Sequence, residues 1–245
     1  MIQLNTFSVA ARCPRTGMLG VAVSTAVPAV GAICPFIKPG VGAITTQSWV
    51  NPYLGIDGLK LLESGLSAQE ALDRLIAEDP GREVRQLGIV DAKGRSAAFT
   101  GKECVHWAGH EIGNGFSVQG NMLVSAATVE KMAVATRDSL TLGLPERLML
   151  ILEAGQAAGG DKRGKQSAAL KVFHLEEYPW LDLRVDEHRN PVAELRRVFE
   201  IAAKQLLPFV GGMPSRSNPL GGIPAEVTEM LMTPPPYRPG GSGGA

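Results

Sequence analysis

Leu4-Asn5-Thr6-Phe7-Ser8-Val9-Ala10-Ala11, the turn Pro14-Arg15-Thr16-Gly17, and Met18-Leu19-Gly20-Val21-Ala22-Val23-Ser24-Thr25 are the stretch on which the fold turns. Two runs of Val, Ala, Ser and Thr around a Pro/Gly turn read as a β-hairpin. A short turn between strands forces antiparallel pairing, so the chain does not open as a βαβ unit. Both faces of the two runs are largely apolar, with weak alternation, as in a sheet covered on both sides.

Outward from the hairpin, residues 30–36 and 41–47 are predicted strands joined at Lys38-Pro39-Gly40. Two helices follow. The first, residues 53–64, carries Leu54, Leu59, Leu61 and Leu62, and Gly65 suits its C-cap. Ser67 and Glu70 form a capping box that opens the second, whose face is Ala71, Leu72, Leu75 and Ile76 and whose stop is Asp79-Pro80-Gly81. A second hairpin spans residues 84–91 and 95–100, and short strands are predicted at 106–108 and 116–119. Helices near 125–138 and 144–154, strands at 167–175 and 181–185, and an amphipathic helix at 191–207 complete the order.

Hairpins that alternate with helix pairs predict an α+β fold: two antiparallel sheets face to face with helices outside, a four-layer α-β-β-α sandwich. The expected organisation is a single domain over residues 1–207. Residues 208–245, rich in Pro, Gly and Ser, are expected to be a tail or arm.

Composition narrows the function. Lysine plus arginine equals aspartate plus glutamate at 24 each, so no net field favours nucleic acid or an acidic membrane surface. Three cysteines, Cys13, Cys34 and Cys104, are far apart and form no zinc-ligand spacing, so no metal is expected. They read as buried thiols of a reducing compartment, and with no signal-peptide pattern or long apolar run the expected location is the cytoplasm. Neither a Rossmann nor a Walker glycine pattern occurs, so no cofactor is expected. The expected partner is a small-molecule substrate or ligand, and a homodimer or higher homo-oligomer is expected, with the tail as its arm.

Candidate site residues cluster in a few places. Residues 154–173 place Gly159, Gly160, Asp161, Lys162, Arg163 and Gly164 between a helix and a strand. Such a loop is able to cradle an anion with its amides, or is simply a helix C-cap and polar turn. Thr45, Thr46 and Gln47 end a strand, where side chains can line a cleft. Asn51 suits a helix cap. Arg85, beside Gln86, is able to orient a carboxylate or to form a structural ion pair. Gln119-Gly120-Asn121 reads either as a turn or as the place where Asn121 donates to a developing oxyanion. His106 and His110 are not on a helix, so their spacing does not make a ligand pair.

The segments Thr6-Phe7-Ser8-Val9, Gly20-Val21-Ala22-Val23, Gly40-Val41-Gly42-Ala43, Thr46-Gln47, Arg85-Gln86, Gln119-Gly120-Asn121-Met122 and Ala158-Gly159-Gly160-Asp161-Lys162-Arg163-Gly164 together resemble the family catalogued as domain of unknown function 1028. The resemblance spans roughly residues 6–200. It implies the N-terminal-nucleophile hydrolase superfamily and its amide-hydrolase fold. In such enzymes a Thr, Ser or Cys at the first position of the mature chain attacks a carbonyl while its own α-amine acts as base. Thr6 matches the residue that in many relatives follows the initiator Met, whereas here Met1-Ile2-Gln3-Leu4-Asn5 precedes it. Cleavage of the Asn5–Thr6 bond, action of Thr6 or Ser8 without a free amine, and a non-hydrolytic role all remain open on this reading. The expected catalytic set is Thr6, Asn121 and Asp161, with Thr46, Gln47, Arg85, Gly160 and Arg163 binding. The alternative is a non-catalytic binder of an anionic ligand, or a structural oligomer.

Overall fold

The first hairpin sends alternate side chains to two different surroundings, and the rest of the architecture follows from that division. The computed structural model describes residues 6–104, 107–160 and 164–232. Strands β1 (Thr6–Arg12) and β2 (Leu19–Thr25) pair antiparallel with Thr6 opposite Thr25 and Arg12 opposite Leu19. They form the centre of a six-stranded antiparallel sheet. Its other members are β7 (Trp107–Gly113), β8 (Phe116–Leu123), β9 (Ser167–Phe173) and β10 (Leu181–Val185), in the order β10-β9-β2-β1-β8-β7. A second, four-stranded sheet runs β3 (Pro35–Lys38), β4 (Gly42–Ser48), β5 (Arg85–Asp91), β6 (Ser96–Thr100).

The outer face of each sheet is apolar and helix-covered. Ile44, Leu87, Ile89 and Ala97 cluster with Leu54 and Leu62 of α1 (Pro52–Glu63) and with Ala68, Ala71, Leu72 and Leu75 of α2 (Ala68–Glu78). Asn51 caps α1 by accepting from the Tyr53 amide, and Ser67 with Glu70 closes the capping box on α2. On the larger sheet, α4 (Leu144–Ala157) packs on β1, β2 and β9, and α3 (Ala127–Asp138) packs on β7 and β8. Arg147 of α4 is 2% exposed and donates Nε to the Thr136 carbonyl near the end of α3. A guanidinium there meets carbonyls that the helix itself leaves unpaired.

Between the sheets, Ala10, Leu19 and Val21 pack on Ala43 and Val90. The facing positions nearer the other end of the same strands are polar, and the site lies there.

Residues 30–36 correct the sequence expectation of a strand. Val30–Ala32 is a 3-10 turn, and the strand starts only at Pro35. Ala29 adopts a left-handed φ of 56°, which turns the chain. The Val30 carbonyl then accepts from the Ile33 and Cys34 amides, while the Val30 amide donates to Ser167 Oγ. Val30 and Cys34 become anchors packed on Val23 and Ala169, a role their apolar character serves as well as a strand would.

The chain divides into two compact units, residues 1–197 and 198–245. Both sheets and helices α1 to α4 belong to the first. Helix α5 (Pro191–Gln205) begins in the first unit and ends in the second, which also holds α6 (Leu207–Gly211) and α7 (Ala225–Met232). Among the described residues no helix is long and apolar enough to cross a membrane.

Candidate functional site

Period-two alternation brings the polar residues together. Thr6 and Ser8 on β1, Thr25 on β2, Thr45 and Gln47 on β4, Gln86 on β5, and Ser117, Gln119 and Asn121 on β8 occupy alternate positions of their strands. All are at least 96% buried. The register sets Thr6 opposite both Thr25 and Asn121, Ser8 opposite Gln119, and Gln47 opposite Gln86.

Hydrogen bonds between the sheets bind these residues into one network. Ser8 Oγ donates to Gln47 Oε1 at 2.6 Å, and Gln47 Nε2 donates to Gln86 Oε1 at 2.8 Å and to the Thr6 carbonyl at 3.4 Å. Gln119 Nε2 donates to Ser8 Oγ and to Thr45 Oγ1, each at 2.8 Å, while its Oε1 accepts from Ser117 Oγ at 2.6 Å. Gln86 Nε2 donates to the Gly120 carbonyl at 2.8 Å, to Thr100 Oγ1 at 2.9 Å and to the Gly109 carbonyl at 3.1 Å. Asn121 Nδ2 completes the chain by donating to Gln86 Oε1 at 2.9 Å. Gly88 is required by this arrangement: a Cβ there would lie 2.2 Å from Gln119 Oε1.

Thr6 occupies the edge of the network. Its Oγ1 shares a hydrogen bond of 3.1 Å with Thr25 Oγ1, whereas Ser8 Oγ is engaged by two glutamines. Asn121 is fully buried, and among the described residues its Oδ1 has no hydrogen-bond partner. Two non-glycine residues with positive φ follow the network directly: Ser48 (69°) after Gln47 and Met122 (51°) after Asn121. Backbone held in that region concentrates at functional sites because the surrounding structure must enforce it.

The expected site residues divide. Thr6, Gln47 and Asn121 come together in the network. Gln119-Gly120-Asn121 lies inside β8, which runs on to Leu123, and is not a turn. Gly160, with φ 55°, lies on the helix side of the sheet, where its Cβ position is 3.2 Å from Phe7 Cε1. Thr46 faces the helix side and donates Oγ1 to the Asn51 carbonyl at 3.1 Å. Arg85 also points away from Gln86. Its Nε donates to Asp79 Oδ2 at 2.9 Å, and its Nη1 donates to the Trp49 carbonyl at 2.7 Å. Asp161 and Arg163, with Lys162, lie outside the described residues, as does His106. Sequence reasoning did not single out Gln119 and Thr25. For Gln119 the available signal was the alternation of Ser117, Gln119 and Asn121 with Val118 and Gly120, whereas Thr25, directly after Ser24, carried none.

The thiols offer no competing nucleophile in the network. Cys34 Sγ stands 3.9 Å from Gln47 Oε1, and burial pushes its thiol up to about 12, with only partial relief from the Thr46 backbone. Burial raises the Cys104 thiol as well. Cys13 sits at the first hairpin's turn, where burial opposes ionisation but hydrogen bonds from Thr16 and the Arg15 amide outweigh it and lower its pKa. Among the described residues, no group of three His, Cys, Asp or Glu is placed to hold a metal ion.

Comparison with known proteins places the chain. The family described as "Family of unknown function (DUF1028)" matches residues 6–195, and the chain belongs to it. The crystal structure of SPO2555 from Silicibacter pomeroyi, a DUF1028 protein, superposes with a TM-score of 0.82 at 29% identity, covering 90% of this chain and 100% of that one. Anbu, the ancestral beta-subunit from Yersinia bercovieri, is similar at a TM-score of 0.38 and 12% identity over 85% of this chain and 98% of its own, a likeness too slight to carry an argument. No curated protein matches the chain.

Proposed function

We propose that this chain is an N-terminal-nucleophile hydrolase of a small amide or related C–N bond, built on a four-layer α-β-β-α sandwich. The observation that carries the reading is the position of Thr6: on the central strand β1, 4% exposed, joined to a buried polar network and opposite Asn121. A hydroxyl among otherwise engaged amides, on a rigid central strand, is held for attack rather than for solubility.

The chemistry has two stages. In maturation, Thr6 Oγ1 attacks the Asn5 carbonyl carbon, the peptide C–N bond breaks, and the Thr6 nitrogen leaves as a free amine. Water then hydrolyses the resulting ester and releases residues 1–5. In turnover, the Thr6 hydroxyl adds to a substrate carbonyl and its proton passes to the α-amine, whose pKa of about 8 suits a base near neutrality. That proton goes on to the departing amine, and water hydrolyses the acyl-enzyme. Gln47 holds the Thr6 carbonyl and Gln119 holds Ser8, so the strand that carries the nucleophile is anchored from both sides.

Turnover of a panel of small amides by the mature chain, compared with Thr6→Ala, tests the reading. Loss of turnover of about a thousandfold or more in Thr6→Ala is expected. Turnover that survives the substitution rejects Thr6 as nucleophile.

A further inference from the structure

The unpartnered oxygen of Asn121 constrains what the site holds. Amide groups can often be turned over so that nitrogen and oxygen exchange places, but here the network fixes the orientation. Gln86 Nε2 faces two backbone carbonyls, of Gly109 and Gly120, which only accept. Gln86 Oε1 is therefore the oxygen that meets Asn121, and an Asn121 oxygen turned toward it would set acceptor against acceptor, so Nδ2 is the group 2.9 Å away. Asn121 Oδ1 is left as a fully buried acceptor in need of a donor. A buried amide oxygen without one carries a desolvation cost that a bound donor removes.

The surroundings say what kind of donor. Thr6, Ser8, Thr25, Thr45, Gln47, Gln86, Thr100, Ser117, Gln119 and Asn121 are all neutral. Among the described residues, the buried charged ones are committed elsewhere. Asp79 is paired with Arg85, and Asp91 accepts from the Lys93 and Arg95 amides and from Arg95 Nε at its own turn. Arg147 serves the Thr136 carbonyl. A carboxylate has no hydrogen to give to an acceptor, and an ammonium ion brought against such neutral amides loses its hydration without gaining a counter-charge. A carboxamide or ureide N–H loses little and matches the amide edge of Asn121.

We infer that Asn121 Oδ1 is the specificity contact of this site and accepts a hydrogen bond from an uncharged N–H of the ligand, so that the substrate class is a primary carboxamide or ureide and not a carboxylate. This rests on the site proposed above but requires neither Thr6 nor turnover. Asn121 is a binding residue in this role, and its Oδ1 is the atom concerned.

The test is binding of four small probes to the full chain, followed by NMR on the Asn121 side-chain amide. The probes are acetamide, urea, N,N-dimethylacetamide and acetate. The amide resonance is assigned by its loss in Asn121→Asp. Acetamide and urea are expected to shift that resonance saturably. N,N-dimethylacetamide, which has the carbonyl but no N–H, and acetate are expected to bind at least about tenfold more weakly, the loss of one good hydrogen bond. Asn121→Leu is expected to remove the preference; should it fail to fold, the comparison of acetamide with N,N-dimethylacetamide on the unaltered chain still decides. Equal binding of those two, tighter binding of acetate, or no response of Asn121 to any probe overturns the inference, the last assigning the oxygen to water alone. The probe comparison needs no turnover, so the two proposals fail separately: absent hydrolysis with the expected order of binding rejects Thr6 as nucleophile alone, and an altered order of binding rejects this inference alone.

Discussion

Gly88→Ala sets two physical expectations against each other. Alanine in place of glycine inside a strand is favoured by about 0.5–1 kcal/mol through backbone entropy. Gly88 is a buried strand residue and is not among those with positive φ, so nothing in its own conformation forbids the change. The obstacle is across the sheets, where the new Cβ would lie 2.2 Å from Gln119 Oε1, 2.7 Å from Gln119 Cδ and 2.8 Å from Ser117 Oγ. A free glutamine tip would swing away at little cost. Gln119 is not free, because its amide joins Ser8, Thr45 and Ser117. Overpacking costs about 1–3 kcal/mol, and one buried group left unmet costs about 1–3 kcal/mol more. Against the favourable backbone term the balance is a loss of about 3 kcal/mol. At roughly 2–4 °C per kcal/mol for a chain of this length, Tm should fall by about 6–12 °C. Thermal unfolding followed by circular dichroism measures it, and Gln119→Ala in the Gly88→Ala background should lessen the cost of the alanine by reopening the space. A Gly88→Ala chain as stable as the parent, or more so, would refute the tight network between the sheets.

Other perturbations probe separate parts of the same account. Gln86→Glu replaces a donor that faces two carbonyls by an acceptor, so the folded state keeps that carboxyl protonated and its pKa raised. Stability of this variant is then greatest below the unfolded glutamate value of about 4.3 and falls as pH rises toward the folded value, a slope that urea titrations at pH 4 and pH 7 detect and that the parent should lack. For Asp79, burial alone would raise the carboxyl, but Arg85 and the Gly81 amide outweigh it and hold the group below the ordinary aspartate value. Its contribution is complete above about pH 4 and is lost as pH falls through that lower value, so Asp79→Asn should cost about 1–3 kcal/mol at pH 7 and progressively less in acid. Cys34, its thiol pKa pushed up to about 12, should resist iodoacetamide at pH 8 in the folded chain, while Cys13, whose pKa the closed turn lowers, should react faster; mass mapping of the labelled cysteines reads the order.

Much of the architecture was legible because it is written in local chemistry. The capping box at Ser67 and Glu70, the Asn51 cap and the first hairpin are decided by residues adjacent in sequence. Val30–Ala32 was not, since a left-handed Ala29 and a hydrogen bond from the distant Ser167 turn an apolar run away from a strand. The site was half legible. Thr6, Gln47 and Asn121 were named from their places at strand ends and in family motifs. Arg85 and Thr46 were named beside them, yet their side chains leave by the opposite face. A strand reverses face at every residue, so a neighbour in sequence is a stranger to the site, while the partner two residues on belongs to it. The pattern Ser117, Gln119, Asn121 carries that information. Its meaning depends on which face meets the second sheet, and this is set by pairing across more than a hundred residues.

Intact mass of the untagged chain, sampled over several days beside Thr6→Ala, tests the central claim most directly. Exposure of Thr6 as the mature first residue predicts loss of the mass of residues 1–5 from the parent and none from Thr6→Ala. A parent mass that stays at the full chain, with amide turnover absent, would contradict the claim that Thr6 acts as an N-terminal nucleophile.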